Sequence, residues 1–259
     1  MINLTGGQIE TWIAMMAWPF MRIGACLMVA PGFSVSEVPV RVRLVLALAI
    51  TGLVAPQVQL PAGVPLFSAE SFMITFQQTV IGVATGLCLQ LVFDAVNFGG
   101  QLMATTMGLS YAMTVDPVRG VSTPAVGQIY GIFVLLTFIA LNGHLRLIEM
   151  LADGFRTLPL GEGLGRQGLW QMVTWGSHLF SGALLIALPA ITALLIVNLA
   201  LGMVSRTAPA LNLMSVGFPV TVMFGLVVLV SAVPTLNSAF QQLLQDAFAV
   251  SRLMLRSGV

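Results

Sequence analysis

The chain predicts an all-α, polytopic protein of the integral-membrane type, with about six kinked hydrophobic helices arranged in hairpins. Three observations carry that reading. Only 7% of the residues are charged and 58% are apolar, against about 25% charged in an ordinary soluble domain. Mean hydropathy is +0.99, so the chain cannot clothe a water-facing surface. Six long apolar runs follow one another along 259 residues, a length that by itself allows one or two domains.

The runs are Trp12–Phe33, Val42–Leu60, Phe72–Phe98, Ile129–Leu141, Met172–Val204 and Leu213–Leu236. A clean membrane span needs about 20 apolar residues, and several of these are flawed. The first carries Pro19, Arg22 and Pro31, and the second is cleanly apolar only from Leu44 to Ala55. The third carries Gln77, Gln78, Gln90 and Asp94. The fourth is too short alone and needs the amphipathic continuation His144–Gly154. The fifth is too long for one span and holds Pro189 near its middle. Proline removes a backbone donor and kinks a helix, and the freed carbonyl needs a partner that hydrocarbon cannot supply. Pro19, Pro31, Pro189, Pro219 and Pro234 therefore predict helices packed against protein rather than bathed in lipid. Gly82-x-x-x-Gly86 and Gly127-x-x-x-Gly131 predict close helix contact.

After the sixth run the pattern changes. Between Asn237 and Arg256, Phe240, Leu243, Leu244, Ala247, Phe248, Met254 and Leu255 recur at helical spacing, one apolar face of an amphipathic helix. Such a face suits a partner better than a lipid surface, because two arginines make a weak lipid patch. Orientation is not legible. With six spans, Arg146, Arg156, Arg166, Arg252 and Arg256 fall on one side and Arg41, Arg43, Arg119 and Arg206 on the other, which is no vote under the positive-inside rule.

The stretch from Gly99 to Gly127, GGQLMATTMGLSYAMTVDPVRGVSTPAVG, interrupts the apolar pattern. It holds five glycines, two prolines, three methionines and one charge of each sign, Asp116 and Arg119. A loop of this length is either functional or disordered, and disorder needs low hydrophobicity with high net charge. This segment has neither, so it reads as something that must close and move.

Composition excludes several functions. All ten basic residues are arginine and net charge is +1, so nothing argues for a nucleic-acid partner. Cys26 and Cys88 lie inside apolar runs and read as small buried hydrophobes. The N-terminus lacks a basic n-region, so no cleavable signal peptide is expected, and Asn3-Leu4-Thr5 reads as a chance sequon. His144 and His178 lack metal-ligand spacing. Ser110, Ser122 and Ser177 lack a nucleophile-elbow context. Gly163-x-Gly165-x-x-Gly168 lacks the preceding strand of a dinucleotide fingerprint. No enzyme, metal or cofactor is expected. Arg22, Asp94 and His178 sit inside apolar segments, where ionisable groups face a bundle interior and either fix helix register or mark a transport path. Register is the favoured reading, and Arg22 and Asp94 should face protein and each have a polar partner. The loop Leu201–Pro219 reads as a hairpin turn or as an interaction loop at a hairpin tip, with Arg206 its only charge.

Met107–Pro117 (MGLSYAMTVDP), Ala140–Gly161 (ALNGHLRLIEMLADGFRTLPLG) and Leu201–Pro219 (LGMVSRTAPALNLMSVGFP) resemble the FliR family of flagellar type III export gate proteins. Arg22–Phe33 and Val38–Leu48 fit as well, so the resemblance runs in order over nearly the whole chain. The injectisome counterpart is the close alternative, but Asn142-Gly143-His144-Leu145 and Asp116-Pro117 are more like the flagellar members.

The resemblance implies a subunit of an export gate in the bacterial inner membrane, within the flagellar basal body. It implies assembly with FliP and FliQ, proximity to FlhA and FlhB, and unfolded flagellar export substrates as cargo. It implies a FliP-like part over residues 1–167, including the loop 99–127. A FliQ-like hairpin over residues 168–259 would follow, its helices stacked in an assembly raised above the membrane plane. The family's pore plug matches Gly108, Leu109, Ser110, Tyr111, Met113, Val115, Asp116, Pro117 and Gly120. Met113 and Val115 stand where aromatics are common in the family. Subunit contacts would fall at Arg206, Pro209, Asn212 and Phe218 near the hairpin tip. The alternative from another class is an ion-coupled secondary transporter built on Arg22, Asp94 and His178, which should show internal repeats; none is evident.

Overall fold

In a computed structural model the chain is described over residues 6–34, 38–61, 64–109, 125–207 and 213–258. The described residues contain helices and no strand: α1 (Gly6–Val29), α2 (Val40–Val54), α3 (Ala69–Thr106), α4 (Ala125–Ala140), α5 (Gly143–Thr157), α6 (Arg166–Trp175), α7 (Ser177–Thr207) and α8 (Leu213–Arg256). The expected all-α architecture is what the chain adopts. Five helices are long and apolar enough to cross a membrane, with α6 and α7 taken together, or six if the bent pair α4–α5 is one span.

Local chemistry sets the boundaries. Pro39 precedes α2 with φ −58°, and Pro56 lies in the single 3-10 turn that follows it. Ser68 caps α3, its hydroxyl accepting the Ser71 N–H at 3.1 Å, while Glu70 sits favourably in the first turn. Asn142, in the left-handed region at φ 55°, separates α4 from α5 and turns the chain by 63°. The short fourth run is thus continued by an amphipathic helix, but at a sharp angle.

Two expectations need correction. The fifth run is not one helix, because Gly176 separates α6 from α7. The sixth run and the amphipathic tail are a single helix of 44 residues. The tail's apolar face does not await a partner. Phe240, Leu243, Leu244, Ala247, Phe248, Met254 and Leu255 are buried by the chain itself, and that burial draws the helix past Leu236.

The prolines divide as well. Helices run without interruption through Pro19, Pro189, Pro219 and Pro234. Pro19 and Pro31 are buried as expected, whereas Pro189, Pro219 and Pro234 are exposed on this chain.

The chain forms two compact units. Residues 1–91, 138–176 and 245–259 make the first, and residues 92–137 and 177–244 the second. In the first, Ala14, Trp18, Ile23 and Leu27 of α1 pack with Ala47, Ile50 and Val54 of α2, Ile74 of α3 and Phe155 of α5. Both Gly82 and Gly86 lie against α1. A Cβ on Gly82 would collide with the Arg22 carbonyl, and one on Gly86 would lie 2.7 Å from the Cys26 carbonyl. Cys26 and Cys88 are free and buried, as expected of small hydrophobes. In the second unit, Phe93 meets Phe240 edge-to-face at 5.4 Å and Phe98 meets Phe180 at 6.0 Å, while Gly182 admits Leu243 and Ala95.

Candidate functional site

The loop singled out by sequence starts from a fixed base in the second unit. The last turn of α3 closes with two backbone bonds, Leu109 N–H to Ala104 O at 3.1 Å and Gly108 N–H to Thr105 O at 3.0 Å. Gly108 stands between them at φ 78°. This is the Schellman arrangement, which needs a left-handed residue and therefore favours glycine. Gly108 thus ends α3.

Neighbouring helices hold that stem. Met107 is fully buried, and its side chain fills the space that Gly225 leaves on α8. Asn198 of α7 donates from Nδ2 to the Thr106 carbonyl at 3.4 Å. On the return side, α4 lies directly against α3. A Cβ on Gly100 would come within 2.8 Å of the Gly127 Cα, and one on Gly131 within 2.6 Å of the Asn97 side-chain oxygen. The Tyr130 hydroxyl donates to the Leu229 carbonyl of α8 at 3.2 Å. Both ends of the loop are therefore anchored on the same packed helices. Of the expected plug residues, Gly108 and Leu109 belong to this base. Ser110, Tyr111, Met113, Val115, Asp116, Pro117 and Gly120 lie outside the described residues, as do Arg119 and Ser122.

At the hairpin end, Arg206 is exposed in the last turn of α7 and Phe218 is exposed on α8. Pro209 and Asn212 lie outside the described residues. Large apolar side chains stand exposed along both helices, among them Leu195, Leu199 and Met203 on α7 and Met223, Val227 and Val230 on α8.

The three ionisable groups expected within apolar segments have different surroundings. Arg22 is buried on α1. Its Nε donates to Gln78 Oε1 at 2.6 Å, and its two terminal nitrogens donate to the Gly154 carbonyl at 3.0 Å and the Leu158 carbonyl at 2.9 Å. The guanidinium also stacks over the Phe155 ring, 4.2 Å from its centroid. Arg22 thus ties α1, α3 and the end of α5 together, the polar pairing expected of it. None of these partners is a carboxylate. Asp94 is half-buried on α3 and His178 is exposed in the first turn of α7, both in the second unit and both engaged with other groups. Among the described residues no three His, Cys, Asp or Glu side chains gather into a metal-binding group.

Sequence reasoning did not identify Gln78, Phe155 or the carbonyls of Gly154 and Leu158 as the holders of Arg22. Gln78 carried a signal, being an amide inside an apolar run, but carbonyl acceptors leave no trace in residue identity. Met107 and Gly225 were missed for a similar reason, since a glycine shows no partner until the opposing helix is in place.

Long apolar helices with uncovered apolar faces define a membrane-type helical protein, and the described residues hold no catalytic constellation. Residues 13–247 match the family described as bacterial export proteins, family 1, and the chain belongs to that family. It is 38% identical over 250 residues to the flagellar biosynthetic protein FliR of Escherichia coli, covering 96% of this chain and 95% of the relative. It is 36% identical to FliR of Pectobacterium carotovorum over 96% of this chain and 95% of the relative. FliR of Aquifex aeolicus is 28% identical over 96% of each chain.

Proposed function

We propose that this chain is a non-enzymatic subunit of the flagellar type III protein export gate in the bacterial inner membrane. It completes the gate with FliP and FliQ, in the neighbourhood of FlhA and FlhB, and contributes the loop within residues 99–127 as a plug against unfolded export substrates. Residues 1–167 act as the FliP-like part and residues 168–259 as the FliQ-like hairpin, with Arg206, Pro209, Asn212 and Phe218 meeting neighbouring subunits.

The observation that carries this reading is the bare apolar surface of α7 and α8. Exposed apolar patches of this extent mark interaction sites. Pro189, Pro219 and Pro234 lie on the same exposed surface, and each leaves a carbonyl one turn back without its amide partner. A neighbouring protein can satisfy both needs.

The anchored loop base supports the plug. A segment fixed at both stems can move without disturbing packed helices, and an apolar obstruction gates a pore by excluding water. Family membership favours this function over the transporter alternative. So does the setting of Arg22, which three hydrogen bonds hold in place.

The test is purification of the full chain in mild detergent from cells expressing the export genes, with mass analysis of what co-elutes. Recovery in a hetero-oligomer with FliP and FliQ is expected; a monodisperse monomer that binds a small solute overturns the reading. For the plug, deletion of several residues between Ser110 and Ser122 should leave the complex assembled and leaky to ions. Wild-type impermeability of that complex refutes the assignment.

A further inference from the structure

A second feature lies in the first compact unit. Arg156 at the end of α5 and Arg252 and Arg256 at the end of α8 line one cleft of about 180 Å³. Arg252 and Arg256 are four residues apart and so share a helix face. Asp153 is the only acidic residue in the lining, which leaves three positive charges against one negative. None of these four side chains has a hydrogen bond or ion pair among the described residues.

Arginines near a helix C-terminus ordinarily serve its open carbonyls. At the end of α5 that role is already taken. The Gly154 and Leu158 carbonyls accept from Arg22, and Gly154 itself lines the cleft. Arg22 therefore adds a fourth positive charge beneath the cleft, and its own bonded partners carry no negative charge. Three guanidiniums lining one small apolar-floored space, with the Arg22 charge behind the Gly154 carbonyl, form a receptor for an oxyanion.

We propose that this cleft receives the carboxylate of an acidic side chain from a neighbouring protein subunit, an inference that rests on the assembly reading above. The chemistry favours a polypeptide over a lipid headgroup. Met150 and Leu255 are buried at the floor and suit the methylene stem of a glutamate. The exposed face of α5 beside the cleft carries Arg146, Glu149 and Asp153, and the exposed leucines, Leu145 on α5 and Leu253 on α8, are single side chains that make no continuous apolar track for acyl chains.

The chain contains no lysine, which makes a direct test available. Arg252→Lys and Arg156→Lys each keep the charge and install a single side-chain amine. In the purified full-length assembly, a zero-length carbodiimide should join that lysine to an aspartate or glutamate of one partner subunit, at the same peptide for both variants. Arg166→Lys, outside the cleft, should give no such product. Arg156→Ala with Arg252→Ala should lower retention of that subunit about tenfold, each desolvated charge pair contributing appreciably. Reversing the identified carboxylate to lysine should restore retention in Arg252→Glu.

Coupling only to Asp153 of the same chain, or none in an intact assembly, overturns the proposal and leaves the assembly reading standing. Acidic phospholipid retained by the wild type and lost in the alanine variants also overturns it, and assigns the cleft to the membrane. Recovery of the wild type only as a lone chain from cells that express the export genes overturns both readings.

Discussion

Helices α3 and α8 have similar lengths and opposite circumstances. At about 1.5 Å per residue, the 38 residues of α3 span about 57 Å and the 44 of α8 about 66 Å, each well beyond a hydrocarbon core of about 30 Å. Their apolar stretches differ in what covers them: within one 18-residue apolar stretch of each, 61% of the residues are buried in α3 and 22% in α8. The chain itself explains the apolar residues of α3, through Gly82 and Gly86 against α1 and Gly100 against α4. It covers the far end of α8, at Phe240, Leu243 and Ala247, and one narrow stripe before it at Gly225, Leu229 and Leu236, and leaves Met223, Phe224 and Val227 bare. Hydrophobicity in the first case is a statement about folding, and in the second about what lies outside the fold.

The sharpest way to break the buried side of that contrast is at Arg22. Arg22→Ala leaves Gln78 Oε1 and two carbonyls without their charged donor, and should cost about 3–5 kcal/mol of chain stability. Arg22→Lys should rescue little, because an ammonium lacks the planar fork that meets three acceptors at once. Thermal unfolding of the purified chain in detergent measures both. A cost near zero for Arg22→Ala would mean that these bonds are replaced by water.

Glycines test the contrast next, because the same substitution is made in two settings. Gly82→Ala drives a methyl into the Arg22 carbonyl and should cost about 1–3 kcal/mol. Gly202→Ala, on exposed α7, meets nothing within 4 Å and should stabilise the helix by up to about 1 kcal/mol. Equal effects at the two positions would erase the distinction. At the loop base, Gly108→Ala places a Cβ at φ 78° and should cost about 1 kcal/mol. Its sharper readout is amide exchange at Leu109, which should rise as the final turn of α3 frays.

Much of this was legible beforehand. Hydropathy and proline placement gave the helical class and the existence of each long run, and the two glycine pairs marked real close approaches. Boundaries failed where tertiary burial overrode local pattern. Gly176 split the fifth run, which hydropathy alone had joined, and α8 continued past Leu236 because its tail face is buried at home. Amphipathicity states that a face will be covered, without stating by what. Arg22 was legible as a buried charge, yet its holders were not, since two of the three acceptors are backbone oxygens. The arginine cleft was invisible for the opposite reason: Arg156 and Arg252 are ordinary surface charges until the fold brings α5 and the end of α8 together.

The smallest effect on the fold should come from the exposed face, and it carries the strongest consequence for assembly. Leu195 on α7 and Val227 on α8 are exposed in the chain, so truncating both to alanine removes almost nothing that the chain packs against. Unfolding of the isolated chain should move by no more than about 0.5 kcal/mol. Two environments then predict different outcomes for the assembled state. Mobile acyl chains flow into the space left by lost methyl groups, so a face turned to lipid should tolerate the change. A protein neighbour is close-packed and relaxes only partly, so truncation leaves cavities costing about 1–3 kcal/mol each. Co-purification of partner subunits should therefore fall about tenfold or more in the double variant while the chain stays folded. If both chain stability and partner retention are unchanged, α7 and α8 face lipid, and the contrast with α3 becomes one of solvent rather than of missing subunits.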